Sequence, residues 1–99
     1  MRTAGWLIPL VLLAGAGCGP VIHTVNVVPA SRAVEQAREA RAAEHAPYEY
    51  YYAKAHLEEA RDEASEAHYE DSIRFAETAE EYGVKARDLA RRRFREMGR

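Results

Sequence analysis

The feature that most constrains this chain is a stripe of very small residues. Ser72, Ala76, Ala79, Gly83, Ala86 and Ala90 recur at spacings of 4, 3, 4, 3 and 4. That period of 3.5 places all of them on one helix face. Such a face has little bulk to bury, so it is useful only where another backbone comes close. A second stripe, Tyr50, Ala53, Leu57, Ala60, Ala64 and Ala67, recurs at 3, 4, 3, 4 and 3. Two stripes of this period predict antiparallel, coiled-coil-like packing. The expected fold class is all-α, a small antiparallel helical hairpin or three-helix bundle.

Local signals set the expected bounds. Ser31 is a good N-cap, and Ala33, Ala37 and Ala40 follow at helical spacing. Pro47 suits the first turn of a new helix and disfavours helical geometry at Ala46. The expected helices are about 32–45, 47–67 and 69–97, within a helical domain of residues 31–99. The segment Glu66-Ala67-His68-Tyr69-Glu70-Asp71 has neither Gly nor Pro, so a continuous helix is the alternative there. A turn is expected because the two stripes lose phase across it.

The chain is 47% hydrophobic, but much of that is alanine. The larger apolar groups of the helical part are Val34, Leu57, Ile73, Phe75, Val84, Leu89, Phe94, Met97 and the tyrosines. At about 1.5–3 kcal/mol per fully buried large side chain, this is thin against the entropy of ordering the helices. Self-association or a partner is the expected remedy.

The start of the chain has a different character. Met1-Arg2 is followed by an uncharged, mostly apolar run, Ala4 to Ala16. A membrane-spanning helix needs roughly 20 residues, so this run reads as a secretory signal. Its end, Ala14-Gly15-Ala16-Gly17-Cys18, resembles the lipobox of bacterial lipoproteins. Gly15 stands where leucine is commonest in that family. The resemblance implies a signal peptide at 1–17, diacylglycerol on the Cys18 sulfur, and acylation of the new amino group. Gly19 rather than Asp after the cysteine implies outer-membrane delivery, facing the periplasm. Residues 18–30 contain Pro20, Pro29 and the β-branched run Val21 to Val28. They are expected to form an extended tether, or an edge strand that adds to a partner's sheet.

Ala43-Ala46-Pro47, then Ala53, Leu57, Ala60, Tyr69, Ala76, Ala79 and Ala86, resemble a family of unknown function (number 4398). Its members are alanine-rich helical domains of Gram-negative envelope lipoproteins. Some members carry a peptidoglycan-binding domain of the OmpA type after the helices, which these 99 residues do not contain. The resemblance implies no catalytic residues.

Charge is segregated along the chain. Residues 35–84 hold fourteen acids and five bases, whereas residues 85–99 hold seven bases and two acids. The basic end, with Arg91, Arg92, Arg93 and Arg95, either complements the helix dipole and acidic neighbours or contacts an anionic envelope component. Net charge is only −2, so no nucleic-acid partner is expected. Tyr48, Tyr50, Tyr51 and Tyr52 point around most of a helix. They either plug the open end of the bundle or, at Tyr48, Tyr51 and Tyr52, form a binding patch. His23 stands alone in the tether, and His45, His56 and His68 lack HxxxH or HExxH spacing, so no metal site is expected. There is no Ser/His/Asp elbow, second Cys or phosphate-cradling loop. The expectation is a non-enzymatic protein with no cofactor or small-molecule substrate. It acts as a structural or interaction module of the envelope, bound to membrane lipid through Cys18 and to a protein partner or a second copy. The alternative is an accessory that binds peptidoglycan or anionic lipid through the basic helix.

Overall fold

A computed structural model describes residues 18–98, with side chains from residue 27 onward. The expected signal peptide, 1–17, lies outside the described residues. The elements are α1 (Cys18–Glu39), α2 (Ala42–His45), α3 (Pro47–Ser65) and α4 (Tyr69–Met97). Among the described residues the chain is helical with no strand. It is the expected small all-α bundle.

Helix α4 is the central element and packs along both α1 and α3, which meet each other over a shorter stretch. Its stripe is buried at every position: Ser72, Ala76, Ala79, Gly83, Ala86 and Ala90. From α1 the core takes Ala30, Ala33, Val34 and Ala37, and from α2 and its edge Ala42 and Ala46. From α3 it takes Tyr50, Ala53, Leu57 and Ala60. The core is alanine with a few larger groups, as the composition requires. The Ser72 hydroxyl, buried among them, donates to the Ala60 carbonyl at 2.7 Å. That bond sets the register of α4 against α3.

Contacts give the helix directions. Arg61 of α3 donates to Ser31 of α1 at 3.3 Å, and Val34, Leu57, Arg38 and Tyr50 line one groove, so α1 and α3 are antiparallel. Ala33 faces Gly83, and Arg87 donates to Gln36 at 2.8 Å, so α1 and α4 are parallel. The closest approach is at Gly83. A Cβ there would lie 3.0 Å from the Ala33 carbonyl carbon and Cβ, and 3.1 Å from the Val34 nitrogen. Only glycine lets the two backbones come this near.

Three expectations are corrected. Residues 18–30 are neither an extended tether nor a strand, because α1 runs through them. Pro20 falls in the first turn, where its missing N–H has no intrahelical partner in any case. Pro29 lies inside the helix at a cost of about 3 kcal/mol. Burial of Ala30, Ala33, Val34 and Ala37 on one face offsets that cost. The second correction concerns the helix expected at 32–45, which breaks at Arg41. That residue has φ 62 and ψ 38, the left-handed region. The break drops Ala42 and Ala46 fully into the core, and an Arg41–Glu44 pair at 3.0 Å braces it.

The third correction is at the α3–α4 joint. The α3 stripe stops at Ala60; Ala64 is half-buried and Ala67 exposed. Ala67 takes φ 64. Its N–H donates to the Ala64 carbonyl at 3.0 Å, and the His68 N–H donates to the Glu63 carbonyl at 2.8 Å. This is a Schellman ending with alanine where glycine is usual. The chain therefore turns with neither Gly nor Pro.

Candidate functional site

The end of the bundle formed by α2, the start of α3 and the last turns of α4 gathers most of the residues singled out in the sequence. Along α4 burial stops at Ala90, and every residue from Arg91 to Gly98 is exposed. Phe94 is 57% and Met97 71% exposed. They follow Ala90 at +4 and +7, so they extend the core-facing stripe past its neighbours. The Phe94 ring rests edge-on against His45 with centroids 5.9 Å apart. Arg93 donates to the His45 carbonyl at 2.5 Å, which caps the short α2. The His45 Nε2 is buried beside them with no hydrogen-bond partner among the described residues.

Arg91, Arg92 and Arg95 make no ion pair among the described residues. They border two open recesses. One, of about 390 Å³, lies between Glu39, Ala40, Arg41, Arg91, Phe94 and Arg95. The other, of about 490 Å³, lies between Glu49, Lys85, Asp88, Leu89, Arg92 and Arg95. Arg95 stands between the two. Lys85 is paired with Glu81 at 3.2 Å, and that carboxylate holds its ammonium pKa above the usual lysine value. At this end Arg91, Arg92 and Arg95 therefore present positive charge with no carboxylate partner among the described residues.

The tyrosines divide between packing and exposure. Tyr50 is buried. Tyr52 is half-buried, stacked on His56 at 4.2 Å and against Tyr82 at 4.3 Å. His56 reaches on to Phe75 at 5.9 Å, so an aromatic strip lines the α3–α4 seam. Tyr52 is thus held in packing. Tyr48 and Tyr51 are the exposed pair, 66% and 54%. They stand on the first turns of α3, beside Glu49 of the larger recess.

Cys18 begins α1. Because Ala33 lies opposite Gly83 and the helices are parallel, the start of α1 is level with the start of α4. The arginine end is one length of α4 away, about 43 Å at 1.5 Å per residue. Among the described residues no helix is long and apolar enough to cross a membrane.

One grouping was not legible in the sequence. At the α3–α4 turn, the His68 Nδ1 lies 2.9 Å from a Glu63 oxygen and 3.5 Å from a Glu66 oxygen. The Glu63 hydrogen bond is the main cause of a raised His68 pKa, with Glu66 and Asp71 adding to it. Glu63 and Glu66 are spaced for one helix face, but His68, five residues after the first and two after the second, is not. It is the Schellman turn that folds His68 back over Glu63.

A search of curated proteins finds no match, and no solved structure matches. Residues 26–97, from within α1 to the end of α4, match the family described as Domain of unknown function (DUF4398), and the chain belongs to that family.

Proposed function

We propose that the protein is a lipid-anchored, non-enzymatic interaction module of the Gram-negative cell envelope. Acylated Cys18 holds it to the outer membrane, and its arginine end meets a protein partner in the periplasm. The observation that carries this reading is the parallel course of α1 and α4, which separates Cys18 from Arg91–Met97 by the length of the bundle. A chain tethered at Cys18 holds the other end away from its own lipid surface.

The partner surface that fits is an acidic, amphipathic segment. Phe94 and Met97 supply an uncovered apolar stripe, and Arg91, Arg92 and Arg95 flank it with unpaired charge. Two copies meeting symmetrically through this end would bring those arginines together, and like charges in close apposition are unfavourable. A second reading takes the same arginines as a contact for peptidoglycan or anionic lipid, favoured by their lack of ion pairs.

Two experiments test the proposal. Cys18→Ser should abolish lipid labelling and release the protein from the membrane fraction; retention in that fraction defeats the anchor. A photo-crosslinking residue at Phe94 should give a discrete protein adduct in cells. The adduct should weaken sharply in Arg91→Glu/Arg95→Glu and be absent with the crosslinker at Glu77, in the first third of α4. Adducts of equal yield at both positions overturn the partner end. Loss of protein adducts together with retention on purified peptidoglycan or phosphatidylglycerol vesicles decides for the second reading.

A further inference from the structure

The α3–α4 turn carries a different chemistry from the arginine end. Its Schellman geometry normally lays an apolar C″ side chain on C3. Here C″ is His68 and C3 is Glu63, so an imidazole and a carboxylate meet instead, at 2.9 Å. Glu66, at the C-cap, adds a second carboxylate. One donor atom from each of the three lies within 4.8 Å of the others.

We propose that Glu63, Glu66 and His68 form a binding site for a divalent transition-metal ion of the Zn²⁺ class. Tetrahedral Zn²⁺ holds its nitrogen and oxygen ligands at about 2.0–2.2 Å, which puts neighbouring ligand atoms roughly 3.3 Å apart. The 2.9 and 3.5 Å separations bracket that value. Glu66 is 66% exposed on its side chain and swings freely to close the third edge. The ion takes the place of the proton shared between imidazole and carboxylate. Water fills the remaining position, because the turn is open to solvent. A hard cation is a poorer match: Ca²⁺ takes six to eight oxygens, and this turn offers two carboxylates and a nitrogen.

The turn's backbone explains why such a site needs the folded chain. Glu63 lies in α3 and His68 just before α4, and only the left-handed Ala67 between them brings their side chains together. An ion held there binds the folded turn and not the unfolded chain, so it raises stability by mass action. This inference does not rest on the anchor or on the arginine end.

The test uses the full chain, stripped of metal and titrated with Zn²⁺ alone, Mg²⁺ and Ca²⁺ serving as controls. The imidazole NMR signals of His68 should shift to saturation at one equivalent. The thermal midpoint should rise with Zn²⁺ and stay put with Mg²⁺ or Ca²⁺. His68→Ala and Glu63→Gln should each weaken binding at least tenfold. Glu66→Gln changes only an exposed side chain, keeps the fold, and should weaken it by a smaller factor. The proposal is overturned if His68 does not shift, if His23, His45 or His56 follows Zn²⁺ instead, or if Glu66→Gln and Glu63→Gln both bind like the parent. A shift of equal size with Mg²⁺ also overturns it and leaves an ordinary ion pair.

Discussion

Against α1, helix α4 presents Gly83, and the two backbones come so close that a single methyl group would meet Ala33 at 3.0 Å. Against α3 it presents half-buried rings: Tyr82 on Tyr52, and Phe75 toward His56. The first contact is limited by backbone position and cannot yield to a rotamer change. The second is made of side-chain ends that can repack. One helix thus carries a rigid face and an adaptable face, and the same alanine stripe serves as the boundary between them. The rigid face is the one that sets the direction of α1, and with it the separation of Cys18 from the arginine end.

The largest effect should come from Gly83→Leu. The Cβ alone would meet α1 backbone at 3.0 Å, and the rest of the side chain adds bulk at the same contact, so α1 should separate from α4, with much of the helical signal and cooperativity lost in a circular-dichroism melt. Gly83→Ala is the graded version. Helix propensity gains up to about 1 kcal/mol, but overpacking against backbone costs about 1–3 kcal/mol, so the net is destabilising. Gly98→Ala is the control, since its Cβ would meet nothing nearer than 3.6 Å. A melting point unchanged in Gly83→Ala would show that α1 shifts freely, and the contrast between the faces would be lost.

On the adaptable face, Tyr82→Ala should cost about 1–2 kcal/mol, because a half-buried ring forfeits part of its transfer and packing energy. Tyr82→Leu should recover most of it. In a domain of this size each kcal/mol moves the melting point by about 4–8 °C. If Tyr82→Leu is as damaging as Gly83→Ala, the aromatic strip is as position-limited as the glycine contact. Ser72→Ala should cost less, about 0.5–1.5 kcal/mol, as it removes the hydrogen bond to the Ala60 carbonyl and leaves that carbonyl its helical partner. Urea midpoints would read the difference.

These differences also explain what could be read from the sequence. The α4 stripe was legible at every position, because each of its six residues is buried and period alone reveals them. Tyr50, Ala53, Leu57 and Ala60 were legible for the same reason. The start of α1 was not, because Pro29 and the β-branched run oppose a helix locally and burial of Ala30 to Ala37 decides the outcome. The two chain reversals hid in residues with ordinary helix propensity. Arg41 and Ala67 both take left-handed backbone that sequence rules reserve for glycine. At the arginine end, the exposed Tyr48 and Tyr51 and the packed Tyr52 share a segment, and only the partner helix distinguishes them. The grouping of Glu63, Glu66 and His68 depends on the Ala67 turn, so it had no signal of its own.

The third contact, between α1 and α3, is limited neither by backbone approach nor by ring-on-ring packing between the two helices, and it predicts the smallest effect. Its groove is lined by Ser31, Glu35, Arg38, Lys54, Glu58 and Arg61 around Val34, Tyr50 and Leu57. On its rim Arg38 donates to Glu35 at 2.5 and 3.0 Å. This hydrogen bonding holds the Glu35 carboxyl below its ordinary value of 4.5. A lowered folded-state pKa contributes stability that is present above the unfolded value. That contribution is lost as pH falls through the folded value. Glu35→Gln should therefore leave a shallower acid limb in urea midpoints measured below pH 4.5, with a small loss at neutral pH. The effect stays small because both side chains are more than half exposed, where water screens the pair. A loss as large as that of Tyr82→Ala would mean that the α1–α3 rim orders α1 itself. The rigid face at Gly83 would then share that work with a pair of surface charges.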